Sequence, residues 1–250
     1  MSIPHSPPAG YDALLAPNVA GDTRERAKSH PNTTRLLALA AAVFLAVALP
    51  RLYVLFVVTE PQNPGLGWYG DTYHHWQIAY LSKEVGFSQG FLRLWDFKGM
   101  EYFWGLLHPL LLGSLFAVTG SVDILIPRLV SIVGAGASLT ALFFLLRRHF
   151  NIHVAFGGTL LAALNPVAVF NDTVGMQEPL GLTLLFGGLL LWPRRAAWTG
   201  VMWALAGMVR AEYWVFGFAL VALAATSDED SNPKLALGLG WLIPSILYMK

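Results

Sequence analysis

The 250-residue chain is 55% hydrophobic and only 12% charged, with a formal net charge of +1 at pH 7 and no cysteine. A soluble domain carries about 25% charged residues, so most of this chain is not ordinary globular material. The near-neutral charge also excludes the basic footprint of a nucleic-acid-binding surface, and the absence of cysteine excludes a disulfide framework, a thiolate metal site and a cysteine nucleophile.

Residues 1–34 are polar and proline-rich (Pro4, Pro7, Pro8, Pro17, Pro31) and read as a disordered cytoplasmic tail. From 35 to 250 the chain reads as one membrane module. A helix needs roughly 20 apolar residues to cross a bilayer core, and apolar runs at 36–58, 123–146, 152–170, 179–193, 196–209, 211–226 and 235–249 give about seven transmembrane helices. The expected fold is an all-α polytopic membrane protein. Gly134, Gly136 and Ser138 in one helix, and Gly181, Gly187 and Gly188 in another, suit close helix approach in lipid or are simply tolerated there.

Between the first two firm spans, 59–122 is expected to be a long structured outer loop carrying amphipathic or half-buried helices. Its stretch from Asp71 to Val85 mixes Tyr73, Trp76 and Tyr80 with polar groups, the mixture found at a membrane interface. The run 103–119 contains His108-Pro109 and is expected to lie half-inserted rather than to span. Orientation follows from Lys and Arg placement. With 103–119 outside the count of spans, Arg24, Arg26, Lys28, Arg35, Arg147, Arg148, Arg194, Arg195 and Lys234 are cytoplasmic, against Lys83, Arg93, Lys98 and Arg210 outside. Making 103–119 a span would reverse most of that bias. The favoured topology puts Asp71, His74, His75, His108, Asp172, Glu178, Arg210 and Glu212 on the outer face.

Three constellations carry potential chemistry. In Gly70-Asp71-Thr-Tyr-His74-His75, the acid and the imidazoles share one helix face. They suit a divalent metal or a general base with histidine support, while Asp71 equally suits a plain helix cap. Asn171-Asp172-Thr-Val-Gly-Met-Gln-Glu178-Pro179 puts two carboxylates between apolar runs, as a site or as a solvated turn with a helix start. Arg210-Ala-Glu212 is either an interfacial ion pair or a cation for a phosphate. His108 and Arg128 divide in the same way between substrate contact and interfacial anchoring.

In order, these pieces resemble the GT-C-fold glycosyltransferases, polytopic enzymes that use lipid-phosphate-linked sugars. The resemblance covers about 36–226. It rests on Gly70-Asp71 opening an amphipathic helix, Leu107-His108-Pro109-Leu110-Leu111, Pro127-Arg128-Leu129 leading into a helix that ends at Arg147-Arg148, Asn165-Pro166 ahead of Asp172 and Glu178, and Ala206-Gly207-Met-Val-Arg210-Ala-Glu212. The resemblance implies a cell-envelope enzyme that moves a sugar, with inversion, from a polyprenyl-phosphate donor to an acceptor hydroxyl on a lipid, glycan or protein at the outer face. Asp71 would be the catalytic base. His74, His75, His108, Arg128, Asp172, Glu178, Arg210 and Glu212 would bind substrate, with Arg210 on the leaving phosphate. The cofactor requirement stays unassigned; a divalent metal, if used, would fall to Asp71, Asp172 and Glu178. The chain, closing in the apolar run before Lys250, would be the N-terminal module of a longer protein. The alternative from a different class is a transporter or flippase for a lipid-linked or polar solute, since polar groups at broken helices suit transport.

Overall fold

The computed structural model describes residues 33–63, 70–86, 105–226 and 231–249. The expected tail, 1–34, lies outside these except for its last two residues, as do parts of the first loop at 64–69 and 87–104. Among the described residues every regular element is helical, and the only extended pairing is a single bridge between Glu60 and Asn63. The chain divides into a unit of residues 1–40, described only for the first turns of α1, and a unit of residues 41–250 that holds the rest.

In chain order the helices are α1 (Thr33–Tyr53), running on as a π-helical turn at Val54–Val58, and α2 (Asp71–Leu81), running on at Ser82–Gly86. Then come α3 (Leu107–Thr119), α4 (Leu125–His149), α5 (Ile152–Ala163), α6 (Pro166–Val174) and α7 (Glu178–Leu191). The last three are α8 (Ala196–Gly207), α9 (Ala211–Ala225) and α10 (Ser231–Met249).

Among the described residues two helical segments are long and apolar enough to cross a membrane: Thr33–Val58, 26 residues at mean hydropathy 2.3, and Leu125–His149, 25 residues at 2.2. At 1.5 Å per residue each reaches nearly 40 Å, against a hydrocarbon core of about 30 Å. A third candidate is the pair α5–α6, which is bent by 60°. The expected single span over 152–170 is therefore broken. Asn165 caps α6 by accepting from the Val167 and Ala168 N–H groups at 2.9 and 3.4 Å, and Pro166 occupies the first turn, where its missing N–H costs nothing.

The other expected spans are helical but short. The helices α7, α8 and α9 have 14, 12 and 15 residues, each at most roughly 22 Å long. The 19-residue α10 opens with the polar Ser231, Asn232 and Lys234. Within the run 103–119, Leu107–Thr119 forms α3, whose 13 residues span roughly 20 Å, too short to cross as a straight helix. Large apolar side chains stand exposed on several helices, among them Leu161, Val215, Phe218 and Leu247. Outward-facing apolar surface of that extent is what a helix in lipid presents.

The helix α4 is the central post. Gly134 lets the start of α7 approach so closely that a Cβ would stand 3.1 Å from Pro179 Cβ, and Thr183 donates a hydrogen bond to the Gly134 carbonyl at 2.9 Å. Close approach through a small residue, fixed by a hydroxyl, is how helices associate where water provides no drive. The helix α8 is fastened to α7 by Thr199 Oγ1 donating to the Gly188 carbonyl and Trp203 Nε1 donating to the Leu185 carbonyl. At the far end of α7, Arg148 of α4 donates to the carbonyl of Leu189 at 3.1 Å, serving one of the helix-end acceptors. Together α4 and α8 hold α7 in place, at whose first residues the polar groups gather.

Candidate functional site

The polar residues collect around Arg210, in the turn between α8 and α9. Two backbone features at the start of α3 and just before it hold this turn. The Leu107 N–H donates to the Met208 carbonyl at 2.9 Å. Gly105, at φ 77°, lies so close to the Val209 carbonyl that a side chain there would overlap it.

Held in extended backbone at the entry to α9, Arg210 reaches three carboxylates on three helices. Its Nε and Nη2 form a two-pronged contact with Glu212 at 3.1 and 2.9 Å. Its Nη1 donates to Asp71 Oδ2 at 3.2 Å and to Glu178 Oε1. These bonds use four of the five guanidinium N–H groups. The hydrogen bonds to Glu212, followed by the charges of Glu178, Glu212 and Asp71, raise the Arg210 pKa above its ordinary value against the opposing effect of burial. Asp71, Glu178 and Glu212 all lie in first turns, of α2, α7 and α9 respectively. The centre is a half-open site: the side chains of Asp71, Arg210 and Glu178 are 18%, 24% and 29% exposed.

Gln177, which the sequence reading passed over, completes the group. It is fully buried, and its Nε2 donates to Asp71 Oδ2 at 3.3 Å. Asp71 does not serve as the helix cap. Gly70, at φ 69°, holds that position, and the Asp71 carboxylate faces across to α7 and α9.

The remaining expected residues fall into separate groups. His75 and His108 are buried against each other, Nδ1 to Nδ1 at 3.2 Å, joining α2 to α3. Burial pushes His108 down to about 3, so its imidazole is neutral and brings no positive charge to a phosphate. His74 is half-buried and edge-on to the Tyr73 ring. Arg128 is fully buried and donates to the carbonyls of Thr173, Glu60 and Pro61 and to Thr59 Oγ1 at 2.7–2.9 Å. Its guanidinium is committed to the fold, which is the anchoring alternative for that residue.

Asp172 lies within α6, not in a loop, because the chain beyond the Asn165 cap continues as helix to Val174. It accepts from Arg51 Nε at 2.7 Å in a buried pair. The sequence reading also passed over Arg51, although an arginine inside an apolar helix is itself the signal. A cavity of about 240 Å³ beside this pair is lined by α1, α4, α5, α6 and α7. With Asp172 paired to Arg51, the set Asp71, Asp172 and Glu178 does not assemble. Among the described residues no group of three or more His, Asp or Glu is placed to hold a metal ion.

An apolar groove of about 420 Å³ runs beside the first turns of α7, lined by Leu111 and Leu115 of α3, Ile126, Val130 and Val133 of α4, and Leu180 and Thr183 of α7. Leu180 stands two residues beyond Glu178, so one helix turn carries both the acid and the groove wall. Compared with family models, with characterised proteins and with solved structures, the chain finds no match.

Proposed function

We propose that this protein is a membrane glycosyltransferase that moves a sugar from a polyprenyl-phosphate donor to an acceptor hydroxyl, with inversion, at the outer face. One observation carries the reading: Asp71, Glu178 and Arg210, up to 139 residues apart in sequence, meet at one half-open point. An in-line displacement needs its base, acceptor and donor carbon together, and such a point offers that.

Asp71 is the base. Both of its hydrogen bonds go to Oδ2, and Oδ1 makes none among the described residues. In the reaction Oδ1 takes the acceptor proton as the hydroxyl oxygen attacks the anomeric carbon. The bond from that carbon to the phosphate oxygen breaks, the phosphate leaves with the electron pair, and the proton remains on Asp71 until solvent removes it. The groove beside Leu180 suits the isoprenoid chain of the donor.

The role of Arg210 differs from the expected phosphate contact. With four N–H groups spent on carboxylates it orients Asp71 and Glu178, and the phosphate lies elsewhere. The outer-face placement rests on the Lys and Arg distribution. Because the chain has no cysteine, Arg148→Cys is a clean probe of it: labelling from the cytoplasmic side only is expected, and labelling from outside would reverse the orientation.

The chemistry is tested by Asp71→Asn, which keeps the shape and removes the basicity. Transfer from a lipid-linked sugar is expected to fall by about 10²–10⁴-fold, and an unimpaired variant would remove Asp71 from the mechanism.

One observation favours a second reading, transport: the 60° break between α5 and α6 together with the buried Arg51–Asp172 pair beside a cavity. Loss of solute or lipid movement in Asp172→Asn, with Asp71→Asn unaffected, would select it.

A further inference from the structure

Gln177 has an amide whose orientation chemistry fixes. A carboxylate has no hydrogen to give, so the nitrogen must face Asp71 Oδ2, and the carbonyl oxygen is the end left over. That oxygen, Oε1, is buried and accepts no hydrogen bond among the described residues, and the same holds for Oε2 of the adjacent Glu178. Gln177 itself is 0% exposed. Buried acceptors of this kind are rarely left unserved in a finished site. Both are acceptors, and Arg210 has at most one N–H to spare, so the molecule that completes the site must bring hydrogens. A phosphate dianion or a carboxylate brings only more acceptors and cannot complete it. A hydroxyl brings one hydrogen and accepts in return.

We infer that Gln177 is a substrate-binding residue for a polyol: its Oε1 accepts one substrate O–H, Glu178 Oε2 accepts another, and its Nε2–H holds Asp71 for the reaction. The inference takes from the glycosyl-transfer reading only the choice of hydroxyls as donors. It assigns Gln177 and Glu178 to the sugar or acceptor hydroxyls and leaves the donor phosphate outside that contact.

The test uses the full chain in lipid nanodiscs and measures binding of octyl glucoside below its micellar concentration. Octyl tetraethylene glycol ether, which matches the chain but offers mostly ether acceptors, is the control. The glucoside is expected to bind at least about tenfold more tightly than the ether, and Gln177→Met is expected to remove that preference while the protein still melts cooperatively. Where Gln177→Met does not fold, Gln177→Glu answers the question. It sets two carboxylates together, so glucoside binding should be weak at neutral pH and recover as the pH is lowered and the new acid takes up a proton; pH-independent binding would overturn the inference. Equal binding of glucoside and ether by the wild type would mean that ordered water already serves the two oxygens, and would overturn it. Tighter binding of octylammonium than of the glucoside would overturn it in favour of a cation. Because binding is read without turnover, glucoside preference in a protein whose Asp71→Asn variant shows no transfer defect would remove the enzymatic reading and leave this one standing.

Discussion

Arg128 and Arg210 are the same side chain put to opposite uses. Arg128 is sealed at the start of α4 and gives its hydrogens to neutral oxygens, three of them backbone carbonyls. It ties the end of α6 and the turn after α1 to α4. Arg210 stands half-open and gives its hydrogens to three charged groups, and acceptors without donors remain around it. A buried centre held mostly on backbone carbonyls is a structural joint. A centre with charged partners and unused acceptors has capacity left for a ligand.

Substitution separates the two. Arg128→Met is expected to have the largest effect, because it strands the buried Thr173 carbonyl, at a cost of roughly 1–3 kcal/mol, and takes the donor from the part-buried Glu60 and Pro61 carbonyls and the Thr59 hydroxyl as well. The expected outcome is little cooperatively melting protein in detergent. A normal melt would mean that the clasp is dispensable, and the contrast would collapse.

Arg210→Lys keeps a positive charge among the three carboxylates and should lower the melting temperature less than Arg128→Met does. It cannot keep a two-pronged hold on Glu212 while reaching Asp71 and Glu178, so any activity measured for the wild type should drop. Equal activity in the two proteins would show that the geometry at Asp71 does not depend on the guanidinium.

Gly105→Ala sharpens the contrast from a distance. Its methyl would meet the Val209 carbonyl at a backbone angle that alanine rarely adopts. It should disturb the turn carrying Arg210 and leave Arg128 untouched, at a cost of roughly 1–3 kcal/mol. An unchanged melt and unchanged activity would free the Arg210 turn from Gly105.

A pH dependence is also expected at the joint between α2 and α3. Native His108 resists protonation down to about 3, whereas an unfolded histidine takes up its proton near 6.5. The contribution is therefore full above pH 6.5 and is lost as the pH falls from there toward 3, with a slope of at most about 1.4 kcal/mol per pH unit. Melting curves between pH 7 and 5 check this, and His108→Asn should flatten the trend.

Much of this was legible in the sequence, and the reasons differ by residue. Apolar runs announce helices because hydrophobic content survives any tertiary arrangement, so the positions of α1, α4 and α9 could be read directly. Asn165-Pro166 was visible in the sequence, yet 152–170 was expected as one span, because the apolar run continues through the break and a cap states where a helix starts and not its direction. Asp71, Glu178 and Arg210 stood out as charges at the edges of apolar runs. Gln177 did not, since an uncharged amide before a helix looks like any turn residue, and its importance lies in being buried against a carboxylate 106 positions away. Arg51 inside the apolar run of α1 carried a signal of its own, but the sequence did not show its partner on α6. Arg128 was ambiguous for the same reason: only the positions of Glu60, Pro61 and Thr173 decide what its hydrogens meet.

The three first turns that meet at Arg210 have one more consequence. Each helix start carries the positive end of a backbone dipole, equivalent to about half an elementary charge, so α2, α7 and α9 together bring roughly 1.5 positive charges to a point where three carboxylates outnumber one guanidinium. The backbone thus cancels most of the formal excess. Because that compensation is made of peptide groups, neither acid nor a side-chain substitution removes it. A centre neutralised in this way exerts little pull on distant ions, and its choice of ligand falls to hydrogen bonds made on contact.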